Sequence, residues 1–221
     1  MRTIPPSPAF PSMTRSFRDY LTPLPLVAIL RGLRPENAEA TGAALVEAGF
    51  RIIEVPLNSP DPFRSIETLA RTMPAEVLVG AGTVIDPADV DGIRDAGGRL
   101  VVMPHGDVAV IRRAKELMLF CTPGVATPTE AFAALKAGAD AIKIFPAEGV
   151  PPAVVKAWMA VLPRETLLIP VGGITPETMQ PYRAVGAAGF GLGSALFAPG
   201  MAVDEVARRA RAFAEAWARP A

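Results

Sequence analysis

The sequence predicts an α/β fold, and within that class a closed (β/α)8 barrel of the TIM type. Three observations carry the expectation. Short β-branched apolar runs alternate with Ala-rich helical stretches about every 20 to 25 residues, the pattern of βα units around a parallel sheet. Eight such units can be counted from Leu24 onward. The strands read as apolar on both faces, as strands covered by helices must. At 221 residues and 50% hydrophobic composition, the chain has enough apolar surface for one large core. Single-domain α/β barrels fill about 200 to 250 residues. An open doubly wound sheet would use similar units, and the count of eight favours closure.

The predicted strands are Leu26–Leu30, Arg51–Val55, Val77–Gly80, Arg99–Met103, Leu119–Cys121, Ala141–Phe145, Leu167–Pro170 and Gly189–Gly193. The fifth is short and the eighth is Gly-rich. Helices are expected to begin at Arg34-Pro35-Glu36, Asp86-Pro87, Thr127-Pro128-Thr129-Glu130 and Thr175-Pro176-Glu177, since proline is sterically welcome just inside a helix start. Several helices run out into EAGF, DAGGR, KAGAD and AVGAAG, where glycine supplies a left-handed cap. Residues 1–22 are rich in Pro, Ser and Arg and read as a loose extension, with Met13 an alternative start; residues 23–221 read as one domain.

Lys and Arg total 22 against 22 Asp and Glu, so no basic footprint for nucleic acid and no polybasic membrane patch is expected. A small-molecule partner fits better. A single cysteine, Cys121, excludes an internal disulfide, and one histidine, His105, leaves no His/Cys cluster with zinc-like spacing. Both read as a core thiol and a loop imidazole, and no metal or cofactor is expected. No apolar run approaches the ~18 residues of a membrane span, and the start lacks a secretory signal, so the expected location is cytoplasmic. Trp158 and Trp217 read as core or subunit contacts.

Active sites of such barrels form at the C-terminal ends of the strands. Arg31 follows strand one, Glu54 ends strand two, Thr83 follows strand three, Pro104 strand four and Thr122 strand five. Lys143 ends strand six within AIKIF, where Ile142, Ile144 and Phe145 offer an apolar surround. Desolvation would make its amine a nucleophile at neutral pH. The plainer reading is a strand-ending lysine paired with a surface carboxylate. Glu54, in IIEVPLNS, is expensive to bury unless paired or catalytic; it reads as a general acid/base or as an ion-pair partner of Lys143 or Arg31. The loops VGGIT and GLGS after strands seven and eight expose main-chain N–H groups beside expected helix starts, where barrels commonly hold phosphate. Glycines also serve plain turns, and Ser194 could bind phosphate or cap the last helix.

Taken together, LVAILRG, RIIEVPLNSP, VGAGTV, CTPGVATPTEA, AIKIFPAE, VGGIT and GLGSALF resemble the class I aldolases acting on 2-keto-3-deoxy-6-phosphosugar acids, the KDPG/KHG aldolase family. The likeness spans Leu24 to about residue 215. It implies a metal-free (β/α)8 barrel, usually a homotrimer, that cleaves a phosphorylated keto-deoxy sugar acid to pyruvate and glyceraldehyde 3-phosphate. By the same resemblance Lys143 is the Schiff-base position and Glu54 the proton shuttle. Thr83 and Arg31 hold the pyruvate carboxylate, Pro104 lines the pocket and Phe145 lies beside the imine. Gly172, Gly173, Gly193 and Ser194 surround the phosphate.

Two positions depart from the gluconate-cleaving relatives, which show PTGGI and an Arg after strand two: here Val171 and Asn58 stand there. Arg31 would then supply the carboxylate clamp. Val171 cannot donate a hydrogen bond to the C4 hydroxyl, which points to the galactonate epimer, with gluconate or 4-hydroxy-2-oxoglutarate as alternatives. A phosphosugar epimerase and a non-catalytic sugar-phosphate binder are more distant readings.

Overall fold

The computed structural model describes residues 15–220. Strands β1 (Leu26–Ile29), β2 (Ile52–Pro56), β3 (Leu78–Gly82), β4 (Leu100–Val102) and β5 (Phe120–Thr122) are followed by β6 (Gly124–Val125), β7 (Ile142–Ile144), β8 (Leu168–Pro170) and β9 (Phe190–Leu192). All pairings are parallel. Six strands form a sheet in the order β5-β4-β3-β2-β1-β9, and three form a second in the order β6-β7-β8. A parallel bridge from Val171, just beyond β8, to Gly191 of β9 links the two. At the opposite edges, β5 and β6 are consecutive along the chain and separated only by Pro123. The result is a curled parallel α/β fold.

The eight expected strands are all present, with ends moved by one or two residues, and a ninth segment is added. Its cause is Pro123, which has no N–H to give to a ladder. Thr122 still accepts from Met103 N–H at 3.2 Å on one side, while the Pro123 carbonyl accepts from Lys143 N–H at 2.9 Å on the other. One short run of chain thus serves both sheets.

Helices α1 (Phe17–Tyr20), α2 (Pro35–Glu47), α3 (Pro62–Thr72), α4 (Asp89–Asp95), α5 (Val108–Glu116), α6 (Pro128–Lys136), α7 (Pro152–Met159), α8 (Met179–Ala184) and α9 (Val203–Ala218) lie between and around the strands. Proline sits in the first turn of α2, α3, α6 and α7. Thr127 and Glu130 form a reciprocal capping box at α6. Gly49 and Gly138, in two of the Ala-Gly exits, have φ of +98° and +103°, the left-handed conformation expected. Two helices start later than their prolines suggest. Asp86 first makes a turn, accepting from Ala88 N–H at 2.9 Å, and Thr175 N–H donates to Thr178 Oγ1 at 2.8 Å, so α4 and α8 begin only after those turns close.

Alternation along the strands sorts side chains into two cores. Leu26, Ala28, Ile53, Val55, Ile142 and Ile144 belong to the larger core, with Leu45, Ile66 and Leu69 of the helices. Val27, Ile29, Ile52, Leu78, Leu100, Val102 and Ile169 fill a second cluster on the inner face of the curl. By the same parity Glu54 and Lys143 fall on that inner face.

The extension expected to be loose is ordered over its last part. From Ser16, a short helix packs Phe17, Tyr20 and Leu21 into the inner cluster, with Phe17 and Tyr20 rings 5.8 and 5.7 Å from the Phe120 ring. Arg99 donates to the Tyr20 hydroxyl at 3.1 Å. The prolines upstream hid this three-residue anchor; Met13 and the rest of residues 1–14 lie outside the described residues. Phe17→Ala is expected to cost about 3 to 5 kcal/mol, as for other fully buried aromatics. Urea unfolding checks this, and an unchanged midpoint would show that α1 does not seal the inner core.

Candidate active site

One end of the curl gathers the loops that follow the strands. Arg31 comes two residues after β1, Asn58 two after β2, Thr83 one after β3, Phe145 one after β7, Val171 one after β8 and Gly193 one after β9. A cleft of about 570 Å³ opens there, lined by Arg31, Lys143, Phe145, Val171 and the glycine loops at Gly172, Gly173 and Gly193. Ile29, Thr175, Phe197 and Pro199 also contribute to its wall. Ser194 is exposed on its rim.

Beneath the cleft lies the inner face. Ile29, Lys143 and Val171 reach both, while Glu54 and Thr122 lie wholly on the inner side with Phe17, Val27, Val102 and Ile169. The space left among them is about 10 Å³, at or below what one water needs. Glu54 is 1% exposed and Lys143 7%. Among the described residues Glu54 makes no direct ion pair with Lys143 or Arg31, and its Oε2 is buried with no hydrogen-bond partner. The ion-pair reading of Glu54 is therefore not realised.

Burial decides the protonation of both groups. Desolvation pushes the Glu54 carboxyl up to about 7, against the pull of the Lys143 and Arg31 charges. Desolvation also lowers the Lys143 ammonium, helped by the Arg31 charge and opposed by Glu54. Lys143 Nζ stands 4.8 Å from the centroid of the Phe145 ring, two residues along the chain and just past the end of β7, in range of a cation–π contact. Burial thus shifts the two groups toward one another, the direction in which acid/base pairs are tuned.

Arg31 is held in place from two sides. Its Nη1 donates to Asn58 Oδ1 at 2.6 Å and its Nη2 to Thr83 Oγ1 at 3.2 Å. Thr83 has φ of +55°, left-handed backbone that a β-branched residue adopts at a cost of about 1 to 3 kcal/mol. Gly32 packs against Pro199: a Cβ there would meet Pro199 Cγ at 2.5 Å, which brings the loop after β1 onto the loop after β9.

At the far end of the cleft Gly172 and Gly173 have φ of +109° and +61°. Glu148 lies across them, its Oε2 2.4 Å from where a Cβ on Gly172 would be. The helix start expected beside GLGS is absent; α9 begins at Val203, and a turn in which Leu196 N–H donates to the Gly193 carbonyl at 2.9 Å takes its place. Ser194 therefore does not cap the last helix.

Of the residues expected at the site, Asn58, Thr83 and Pro104 stand outside the cleft lining; the first two bond Arg31, and the main chain of Pro104 packs against Gly124. His105 is exposed, and burial pushes the Cys121 thiol up to about 12, consistent with an inert core group. Among the described residues no three His, Cys, Asp or Glu side chains are placed to hold a metal ion, and no helix is long and apolar enough to cross a membrane. Thr175, Phe197, Pro199 and Glu148 were not anticipated from sequence. Thr175, Phe197 and Glu148 are the last residues of the motifs VGGIT, GLGSALF and AIKIFPAE, and Pro199 follows GLGSALF by two residues.

Comparison with known proteins agrees with this arrangement. The family model "KDPG and KHG aldolase" matches residues 18–211. The chain is 51% identical over 186 residues to a probable 2-dehydro-3-deoxy-6-phosphogalactonate aldolase of Rhizobium meliloti (strain 1021), covering 84% of this chain and 88% of the relative. It is 45% identical over 198 residues to 2-dehydro-3-deoxy-6-phosphogalactonate aldolase of Escherichia coli (strain K12), covering 90% and 97%. The solved "Native KDPGal structure" superposes with a TM-score of 0.87 at 45% identity, over 89% of this chain and 95% of that one. The chain belongs to the KDPG and KHG aldolase family of Schiff-base aldolases.

Proposed function

We propose that this chain cleaves 2-dehydro-3-deoxy-6-phosphogalactonate to pyruvate and D-glyceraldehyde 3-phosphate through an imine on Lys143, without a metal or cofactor. The observation that carries the reading is Lys143 buried beside an unpaired Glu54, with its amine at the floor of a cleft that ends in two glycine loops. The proposal takes the eight βα units as one closed barrel domain over residues 23–221. In its favour are the Val171–Gly191 bridge at one seam and the run β5–Pro123–β6 at the other. The cytoplasmic homotrimer expected from the sequence is part of the same proposal.

In this reading neutral Lys143 Nζ attacks the C2 ketone. Glu54 passes protons through the carbinolamine, water leaves, and the protonated imine becomes the electron sink. The C4 hydroxyl gives its proton to Glu54 or to a water that Glu54 holds, and the C3–C4 electron pair moves into the imine to form an enamine. Glyceraldehyde 3-phosphate departs from the glycine end. Protonation at C3 gives the pyruvate imine, and hydrolysis takes up a water in place of the one released earlier, freeing Lys143 and pyruvate. Arg31, fixed by Asn58 and Thr83, holds the substrate carboxylate, which explains how an Asn serves after β2: it braces the arginine of the neighbouring loop. Gly172, Gly173, Gly193 and Ser194 receive the phosphate.

Val171 is 6% exposed and borders both the cleft and the inner face, so it meets the middle of the substrate. With no hydrogen bond to offer the C4 hydroxyl, it forgoes about 0.5 to 1.5 kcal/mol towards the gluconate epimer, roughly a tenfold discrimination. Chelator-treated protein assayed with both epimers side by side is expected to release pyruvate from the galactonate epimer at an equal or faster rate. A strong gluconate preference would overturn the reading of Val171, and cleavage of neither would overturn the function.

Glu54 also makes stability depend on pH in a direction fixed by its environment. A carboxyl whose folded pKa is raised favours the folded state below its unfolded value and loses that contribution as pH rises through the folded value. For Glu54 the window runs from its ordinary 4.5 to about 7. Glu54→Gln is therefore expected to leave the melting temperature unchanged below that window and to raise it above, while slowing turnover. Thermal melts of both proteins across the window check this; a Gln variant less stable at high pH would show that the carboxylate is satisfied in the folded state.

A further inference from the structure

Gly82 ends β3 on the strand beside β2, in register with Pro56, two residues beyond Glu54. A Cβ built on Gly82 would lie 1.3 Å from Glu54 Oε2, 2.4 Å from its Cδ and 2.9 Å from its Oε1. The three nearest atoms all belong to that carboxylate. Gly80, two residues earlier, is different: its Cβ would strike the main-chain oxygen of Leu100 at 2.0 Å, so it serves the approach of two strands. Gly82 is not among the residues with positive φ, so backbone conformation does not require glycine there.

We propose that Gly82 is a positioning residue: the volume of its missing side chain is the recess that holds the Glu54 carboxylate beside Lys143. The inference rests on the reading of Glu54 as the proton relay. Elsewhere around the carboxylate little room is left: Val27, Ile29 and Val102 line a remaining space of about 10 Å³. A methyl group at residue 82 must push the carboxylate aside, and a displacement of about 1 Å at a reacting group costs on the order of 10²-fold in rate. Lys143 lies on β7, in the other sheet, and the three atoms nearest to a Cβ on Gly82 are all Glu54's, none of them Lys143's. The amine should therefore still form its imine.

The test is a cycle of four proteins: wild type, Gly82→Ala, Glu54→Gln and the double variant. Each is assayed for exchange of pyruvate methyl protons into D2O by NMR and for endpoint trapping of pyruvate with borohydride. Gly82→Ala should trap pyruvate as wild type does, lose exchange by about 10²-fold, and cause no further loss when Glu54 is already Gln. Wild-type exchange in Gly82→Ala would overturn the inference. So would an equal proportional loss in both backgrounds, which marks general damage to the sheet. Unchanged exchange in Glu54→Gln would overturn the relay reading and this inference with it. If Gly82→Ala fails to fold or to trap, Gly82→Ala combined with Glu54→Asp, whose carboxylate is one methylene shorter, decides the matter: recovery of trapping supports the recess, and no recovery overturns it.

Discussion

A lysine and a glutamate share the dry inner face of this fold without pairing to each other, and that arrangement constrains everything around it. In water the two would titrate near ~10.4 and ~4.3 and would be unsuited to exchange protons at pH 7. Here desolvation moves each toward the other, the carboxyl up to about 7 and the ammonium downward. The displacement requires that water be kept out. Phe17 of α1 closes one side of the pair, the aliphatic side chains of β1, β4 and β8 fill the space between, and only the cleft side is left open to a ligand.

Such a centre is unfavourable for folding, and the cost is offset elsewhere. A buried carboxylate oxygen with no partner and a left-handed Thr83 are both destabilising features, and they occur at the same end of the neighbouring strands β2 and β3. The outer core, where Ile53, Val55, Ile142 and Ile144 meet the helices, is built of apolar side chains. Strands β2 and β7 therefore have two roles by alternation: their outward residues hold the sheet to the helices, and their inward residues, Glu54 and Lys143, carry the proposed chemistry.

The alternation explains why so much was legible in the sequence. AIKIF and IIEVP each place one charged residue inside an otherwise apolar run, and local parity alone sends it inward. The Ala-Gly helix exits and Pro-led helix starts are likewise local signals. What the sequence did not disclose depends on distant partners. Nothing in VGAGTV says that Gly82 is empty because Glu54 fills it, or that Asn58 reaches Arg31. Proline-rich context masked the Phe17–Tyr20 anchor, the short strand beyond Pro123 was not anticipated, and the turn after Gly193 displaced an expected helix start by ten residues. Pro104 was assigned to the pocket by analogy of position, yet its main chain faces Gly124.

The central claim is that burial makes Lys143 the nucleophile, and covalent trapping tests it most directly. Protein incubated with pyruvate and reduced with borohydride should gain one pyruvate-derived adduct, found by peptide mass spectrometry on Lys143 and absent from Lys143→Ala. An adduct on Lys115, Lys136 or Lys156, or no adduct while the sugar acid is still cleaved, would contradict the account.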